Sequence, residues 1–329
     1  MADDRDTSRG PGTREFHRLL VAASDPEAQE PADGMRAMSA VAGAELLALA
    51  DAHGVLPAVL ARLRDALGEE QFASAQASAA SRWREANALT GMLSRYADRI
   101  LAGAGGLAVA LVKGRAFAEH LYPRKSLRTF TDIDLLAAPS ATGPLSEVLS
   151  ASGFRFADWD HDPVRLEVKW VHAENQALVV EVHTNLVHHP DLRRTISFAH
   201  EDLEGEPNSS ATHLTIALVH GALHQYERLR QVVDILQGAR KLRPGAEEAD
   251  FERLIARTGA RLAAVVGLDL AGRMFAEPRC REIARAMGSV RWAGPGRMLI
   301  GPGAALSTMG SARRLHSWRR KAFRALLKK

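Results

Sequence analysis

Two aspartates, Asp132 and Asp134, stand one residue apart in the apolar stretch FTDIDLLA, residues 130–137. Side chains alternate between the faces of a strand, so both carboxylates project from one side, about 7 Å apart at the backbone. Ile133 and Leu135 then face a core. Two carboxylates brought to about 4 Å repel by roughly 4 kcal/mol at an effective dielectric of 20. A cation, a proton or basic neighbours must offset that cost. Magnesium suits an oxygen-only site because it keeps several waters and shares phosphate oxygens, and manganese accepts similar donors. The bland alternative is one aspartate capping a turn beside another in a salt bridge. Taken alone, the motif leaves both readings open.

Further residues fit the metal reading. VVEVHTNL, residues 179–186, puts Glu181 on a second apolar strand with His183 on the same face. Three carboxylates on adjacent strands form a two-metal platform, which aligns a nucleophile and stabilises leaving oxygens in a displacement at phosphorus. Lys113-Gly114 closes an earlier apolar run. Its glycine lets a backbone approach phosphate, and its lysine adds charge. Arg128, four residues before Asp132, either neutralises a triphosphate or salt-bridges the aspartates. Tyr122-Pro123 shapes a turn. His220 and His224, spaced i, i+4, share a helix face, but no acid accompanies them as in HExxH, which favours a packed pair. His188-His189 reads as a surface loop before Pro190.

The elements that must position these groups follow from periodicity. The 329 residues exceed one compact core. Residues 1–34 are rich in Pro, Gly, Asp and Ser and read as a mobile segment, apart from a helix around 16–23. Residues 35–103 carry helical spacing, broken at Gly54 and Pro57 and stopped by a glycine cluster. A small core over 104–205 alternates strands and helices: LAVALV, RAFAEHLY, TDIDLLAA, GPLSEVLSASG, then a hairpin-like pair in RLEVKWVHA and ALVVEVHTNL. Helical spacing returns over 206–312, where one helix is expected to run from His220 past Arg228 and Arg230 to Asp234. The fold class is therefore α+β, a mixed sheet flanked by helical regions.

Charge and cysteine usage bound the partners. The tail, 313–329, holds eight Lys or Arg and no acid, and these exceed the net charge of +4, so the rest of the chain carries −4. Its Leu315, Trp318, Ala322 and Leu326 form a helical stripe that meets an anionic membrane, a nucleic acid, or the protein's own surface. Cys280 is the single cysteine, which excludes a disulfide framework and fits a reducing cytoplasm. No signal segment and no transmembrane run is apparent.

The segments ALVKGRAFAEHLYPRKSLRTFTDIDLL, VVEVHTNL and LVHGALHQYERLRQVVDI resemble the uncharacterised branch of the nucleotidyltransferase superfamily, relatives of the DNA polymerase beta-like enzymes. ELLALADAHGVLPAVLARL resembles the helical lead-in of those proteins, and the likeness covers roughly residues 40–240. The resemblance implies that Asp132 and Asp134 take the first two metal positions, Glu181 the third, and that magnesium–NTP is bound there. It also implies that the region of His220, Arg230 and Asp234 packs over the nucleotide and touches base or phosphate. Lys113-Gly114 departs from the superfamily's usual Gly-Ser or Gly-Gly, and 17 residues separate Gly114 from Asp132.

These readings converge on a magnesium-dependent nucleotidyltransferase that moves NMP from an NTP to an unidentified acceptor. Asp132, Asp134 and Glu181 are the expected catalytic and metal-binding residues. Lys113, Gly114, Arg128, His220, Arg230 and Asp234 are expected at the nucleotide. The rivals are a nucleotide- or nucleic-acid-binding protein without turnover and, further off, a DxD glycosyltransferase.

Overall fold

The computed structural model describes residues 13–29, 33–77, 79–157, 166–307 and 310–329. Contacts divide the chain into two compact units, residues 1–84 and 85–329. In the first unit, α1 (Thr13–Ser24), α2 (Ala40–Ala52), α3 (Leu56–Ala66) and α4 (Glu69–Gln76) pack on one another. Leu19 and Leu20 of α1 are fully buried, with Leu46, Leu47 and Leu63. The helix expected around 16–23 is α1, docked by these leucines, while residues 1–12 and 30–32 lie outside the described residues. Ser39 caps α2 by accepting from the Ala42 amide, and Gly54, with φ +71°, breaks α2 from α3.

Helix α5 (Ala80–Gly103) crosses the division between the units. Its Leu93, Ala97 and Ile100 belong to the core beneath the sheet of the second unit, so the helical region expected over 35–103 divides within this helix.

That sheet is built from β1 (Val109–Val112), α6 (Gly114–His120), β2 (Ile133–Ala137), α7 (Thr142–Ala151), β3 (Phe154–Phe156), β4 (Glu167–His172) and β5 (Val179–His183). Its order is β1-β2-β5-β4-β3, with β2 and β5 parallel and every other pair antiparallel. The α+β expectation holds, as does the hairpin pairing of β4 with β5. The short edge strand β3 was not foreseen, since three residues carry too little alternation to register. Ile133, Leu135, Val180 and Val182 point into the core that α5 and α7 cover, with Leu145 and Leu149 supplied by α7. The alternate residues of β2 and β5, Asp134, Glu181 and His183, point away from it. All of β2 is buried, so the polar face is covered as well.

The remaining helices are α8 (Pro190–Arg193), α9 (Ser210–Leu223), α10 (Leu229–Lys241), α11 (Ala246–Arg257), α12 (Arg261–Met274), α13 (Pro278–Ala286), α14 (Ala293–Leu299), α15 (Pro302–Leu306) and α16 (Gly310–Leu327). The single helix expected from His220 to Asp234 is in fact two, α9 and α10, packed on each other. Gln225 and Tyr226 both have positive φ, 51° and 52°, which no helix accommodates. Tyr226 is fully buried and donates from its hydroxyl to the Ala263 carbonyl at 2.9 Å, which holds the turn.

The basic tail is most of α16, which docks on α14 and α15. The buried stripe is Arg320, Phe323 and Leu327, not the expected one; Trp318 is 58% exposed, and the Leu315 side chain lies outside the described residues. Phe323 and Leu327 offer the larger apolar surface one turn apart, and Arg320 donates to the Ala304 and Ser307 carbonyls at 2.6 and 3.2 Å. Among the described residues no helix is long and apolar enough to cross a membrane.

Candidate active site

Strand register assembles the polar face. Val112 of β1 lies opposite Asp134 of β2, Asp134 opposite Glu181 of β5, and Glu181 opposite Lys169 of β4. One row across the sheet therefore sets two carboxylates on adjacent parallel strands, about 5 Å apart at the backbone. The next row sets His183 opposite Glu167. Asp132 lies one residue before β2 and half-buried, so the DxD pair straddles the strand's start instead of sitting wholly inside it. Thr90 of α5 fixes this entry: its hydroxyl donates to the Phe130 carbonyl at 3.2 Å and accepts from the Phe130 amide at 3.3 Å.

Lys113 turns back over that row. Its backbone, φ 53° and ψ −143°, is a conformation that costs a non-glycine residue about 1–3 kcal/mol. The ammonium pairs with Asp134 Oδ1, and His183 Nε2 lies 3.2 Å from the same oxygen and 3.4 Å from Nζ. Gly114 opens α6 and lines the cavity, where a Cβ would stand 3.4 Å from that of Phe130 and 3.5 Å from the Asp132 carbonyl oxygen.

These groups line a cavity of about 400 Å³. Its floor is the acidic sheet face, with Glu167 and Lys169 beside Asp132, Asp134 and Glu181. Its other wall brings Arg128, His188, His220, His224, Glu227, Arg228, Arg230 and Gln231. Four carboxylates thus gather on the sheet side, and the guanidinium groups on the facing wall with Glu227. The positive-φ turn between α9 and α10 delivers Glu227 and Arg228.

Of the nine residues expected at the site, eight line this cavity and Asp234 does not. Asp234 is 1% exposed, and Arg128 holds it from two nitrogens, Nε to Oδ1 at 2.9 Å and Nη2 to Oδ2 at 3.0 Å. The Tyr122 hydroxyl adds a 2.7 Å bond to Oδ1. Arg128 therefore salt-bridges an aspartate, but not either of the two anticipated. His220 and His224 form the packed pair expected, with ring centroids 4.6 Å apart. His188, read as a surface loop residue, instead reaches the cavity, its Nδ1 3.6 Å from Glu167 Oε2. Glu167 and Lys169 were legible as an alternating E-x-K on β4. The expected hairpin set them beside β5, but did not give their place in the cavity.

The electrostatics are lopsided. Burial, then Asp134, push the Asp132 carboxyl up to about 6. Burial, then Asp134 and Glu167, push Glu181 up to about 8. Burial would raise Asp134 too, but the Lys113 ammonium and the His183 bond hold it down at about 2. On the facing wall Arg128, then burial, pull Arg230 down to about 10. Burial, then its neighbours His224 and Lys113, keep His220 neutral, and burial with Lys113 does the same for His183. The acids want a cation and the arginines want an anion.

A divalent ion fits these donors. Oxygens of Asp134 and Glu181 and a His183 nitrogen lie within 4.8 Å of one another, and burial with the neighbouring carboxylates pushes Asp132 and Glu181 towards their neutral forms, a cost that a cation would relieve. Oxygen donors suit magnesium, and the imidazole also accommodates manganese.

The raised Glu181 pKa has a pH signature. A carboxyl whose folded pKa lies above its unfolded value stabilises the fold at low pH and loses that contribution as pH rises towards the folded value. The depressed histidines act below about 6.5, their unfolded pKa, and so in a separate window. Between pH 6.5 and 8 the metal-free protein is expected to fall in Tm, and Glu181→Gln to flatten that fall. Identical slopes for the two proteins would contradict the assignment.

The sequence model of a family described as uncharacterised nucleotidyltransferase matches residues 39–276, well over half of the chain. No curated protein and no solved structure gives a significant match.

Proposed function

The chain belongs to the uncharacterised nucleotidyltransferase family, and we propose that it moves the nucleotidyl group of a nucleoside triphosphate onto a nucleophilic acceptor. An acceptor hydroxyl, amine or phosphate oxygen attacks the α-phosphorus in line. The bond from that phosphorus to the bridging oxygen breaks, and pyrophosphate leaves with the electron pair. Glu181, a carboxylate lining the cavity beside Asp134, takes the acceptor's proton. Arg128, Arg230 and Arg228 receive the triphosphate charge, with Gly114 and the neutral His220 lining its path. Asp234 keeps Arg128 aimed and touches no substrate. Asp132, Asp134 and Glu181, with His183 alongside, would hold magnesium or manganese, which when bound neutralises phosphate oxygens and orients them.

One observation carries this reading: Asp134 and Glu181 lie directly opposite on adjacent parallel strands, in a cavity whose other wall supplies three arginines. Such opposed charge suits a cation-loaded phosphate chain. The test incubates the protein with magnesium, each α-labelled NTP in turn and a cell extract as the source of acceptor. Label is expected on one acceptor class, with pyrophosphate released. Release of a nucleoside diphosphate would indicate glycosyl transfer, and failure of every NTP to bind would end the proposal.

A further inference from the structure

We propose that the Lys113 ammonium fills one of the two cation positions of the carboxylate cluster, so that this site takes a single divalent ion. The inference rests on the nucleotidyl-transfer reading of the same site. Two-metal phosphoryl sites place their ions about 3.5–4 Å apart between shared carboxylates. Here the carboxylate at the centre of the row, Asp134, already carries a cation: the Lys113 ammonium sits on Oδ1, and His183 Nε2 crowds the same oxygen at 3.2 Å.

This placement is built into the backbone. Val112 pairs with Asp134 in register, so the next residue emerges beside that carboxylate. Lys113 then takes a left-handed φ of 53° while its carbonyl accepts the Phe117 amide at 2.9 Å, starting α6. Strain retained at a functional site points to a role for the side chain it aims. Asp134 and His183 are 4% and 1% exposed, so the lysine cannot exchange its partner for water without opening the cluster.

Charge balance gives the same count. Asp132, Asp134 and Glu181 carry three negative charges, which Lys113 and one divalent ion match. A second divalent ion would leave an excess of two positive charges, with Arg228 and Arg230 across the same cavity. The like-charged ion and ammonium would also meet on one carboxylate. A lysine there keeps one of the three carboxylate charges neutralised and leaves the other two to the metal.

The test is titration with Mn²⁺ alone, reading the free ion by electron paramagnetic resonance. The wild-type protein is expected to bind about one ion per chain, and Lys113→Met about two. Spin coupling between ions a few ångströms apart should appear only in the variant. Two coupled ions in the wild-type protein, no bound ion there, or a folded Lys113→Met protein that still binds one would each overturn the proposal. Should that variant fail to fold, the wild-type stoichiometry and spectrum decide by themselves. One bound ion without nucleotide transfer would refute the proposed reaction and leave the ion count standing.

Discussion

Asp134→Asn is expected to lower the rate of nucleotidyl transfer by about 10³-fold or more, equivalent to about 4 kcal/mol of lost transition-state stabilisation. Asp132→Asn should have a similar kinetic effect, because both carboxylates are assigned to the cation and neither amide can replace their charge. Stability separates the two variants. Asp134 is 4% exposed and balances a buried ammonium, so the amide leaves Lys113 without an anionic partner and Tm falls. Asp132 is held ionised against burial and against Asp134, so its amide relieves repulsion and Tm of the metal-free protein stays level or rises. Initial rates of pyrophosphate release and thermal melts check both halves. A folded Asp132→Asn or Asp134→Asn protein with parental activity would remove the catalytic assignment.

Asp234→Ala is expected to cost about 3–5 kcal/mol, since it strands a buried guanidinium. In a unit of this size that corresponds to a Tm drop of about 6–20 °C. The pair joins α10 to the loop that leads into Asp132, residues 106 positions apart in sequence, and Arg128 adds a 2.8 Å bond to the Thr129 carbonyl. Removing both charges together, as Arg128→Met with Asp234→Leu, should recover most of the lost stability, because apolar partners of similar volume need no compensation. NTP affinity should not recover, since Arg128 also lines the cavity. Thermal melts of the two singles and the double complete the cycle. Additive losses would mean that the pair is not coupled and that Asp234 does not position Arg128.

How much of this was legible can be argued residue by residue. Asp132, Asp134, Glu181 and His183 announced themselves as polar residues at alternating positions in apolar strands, a signal contained within four to eight residues. Lys113 was visible at the end of β1, though as a phosphate ligand; its pairing with Asp134 needed the register of β1 on β2. The break between α9 and α10 was missed because Gln225 and Tyr226 are poor predictors of left-handed backbone. The burial of Tyr226 and its bond to Ala263 hold them there, with the Tyr226 amide donating to the Gly221 carbonyl at 2.8 Å.

The sequence by itself determined which residues alternate, and hence which acids share a strand face, because side-chain direction along a strand is fixed by local covalent geometry. It also determined the α+β class and the resemblance carried by its motifs. Only the tertiary structure decided that β5 inserts beside β2, that Glu167 and His188 join the cavity, and that Asp234 pairs with Arg128 behind the cavity lining. Those outcomes depend on which distant surfaces bury each other and which buried charges find partners. Neither is written in any window of neighbouring residues.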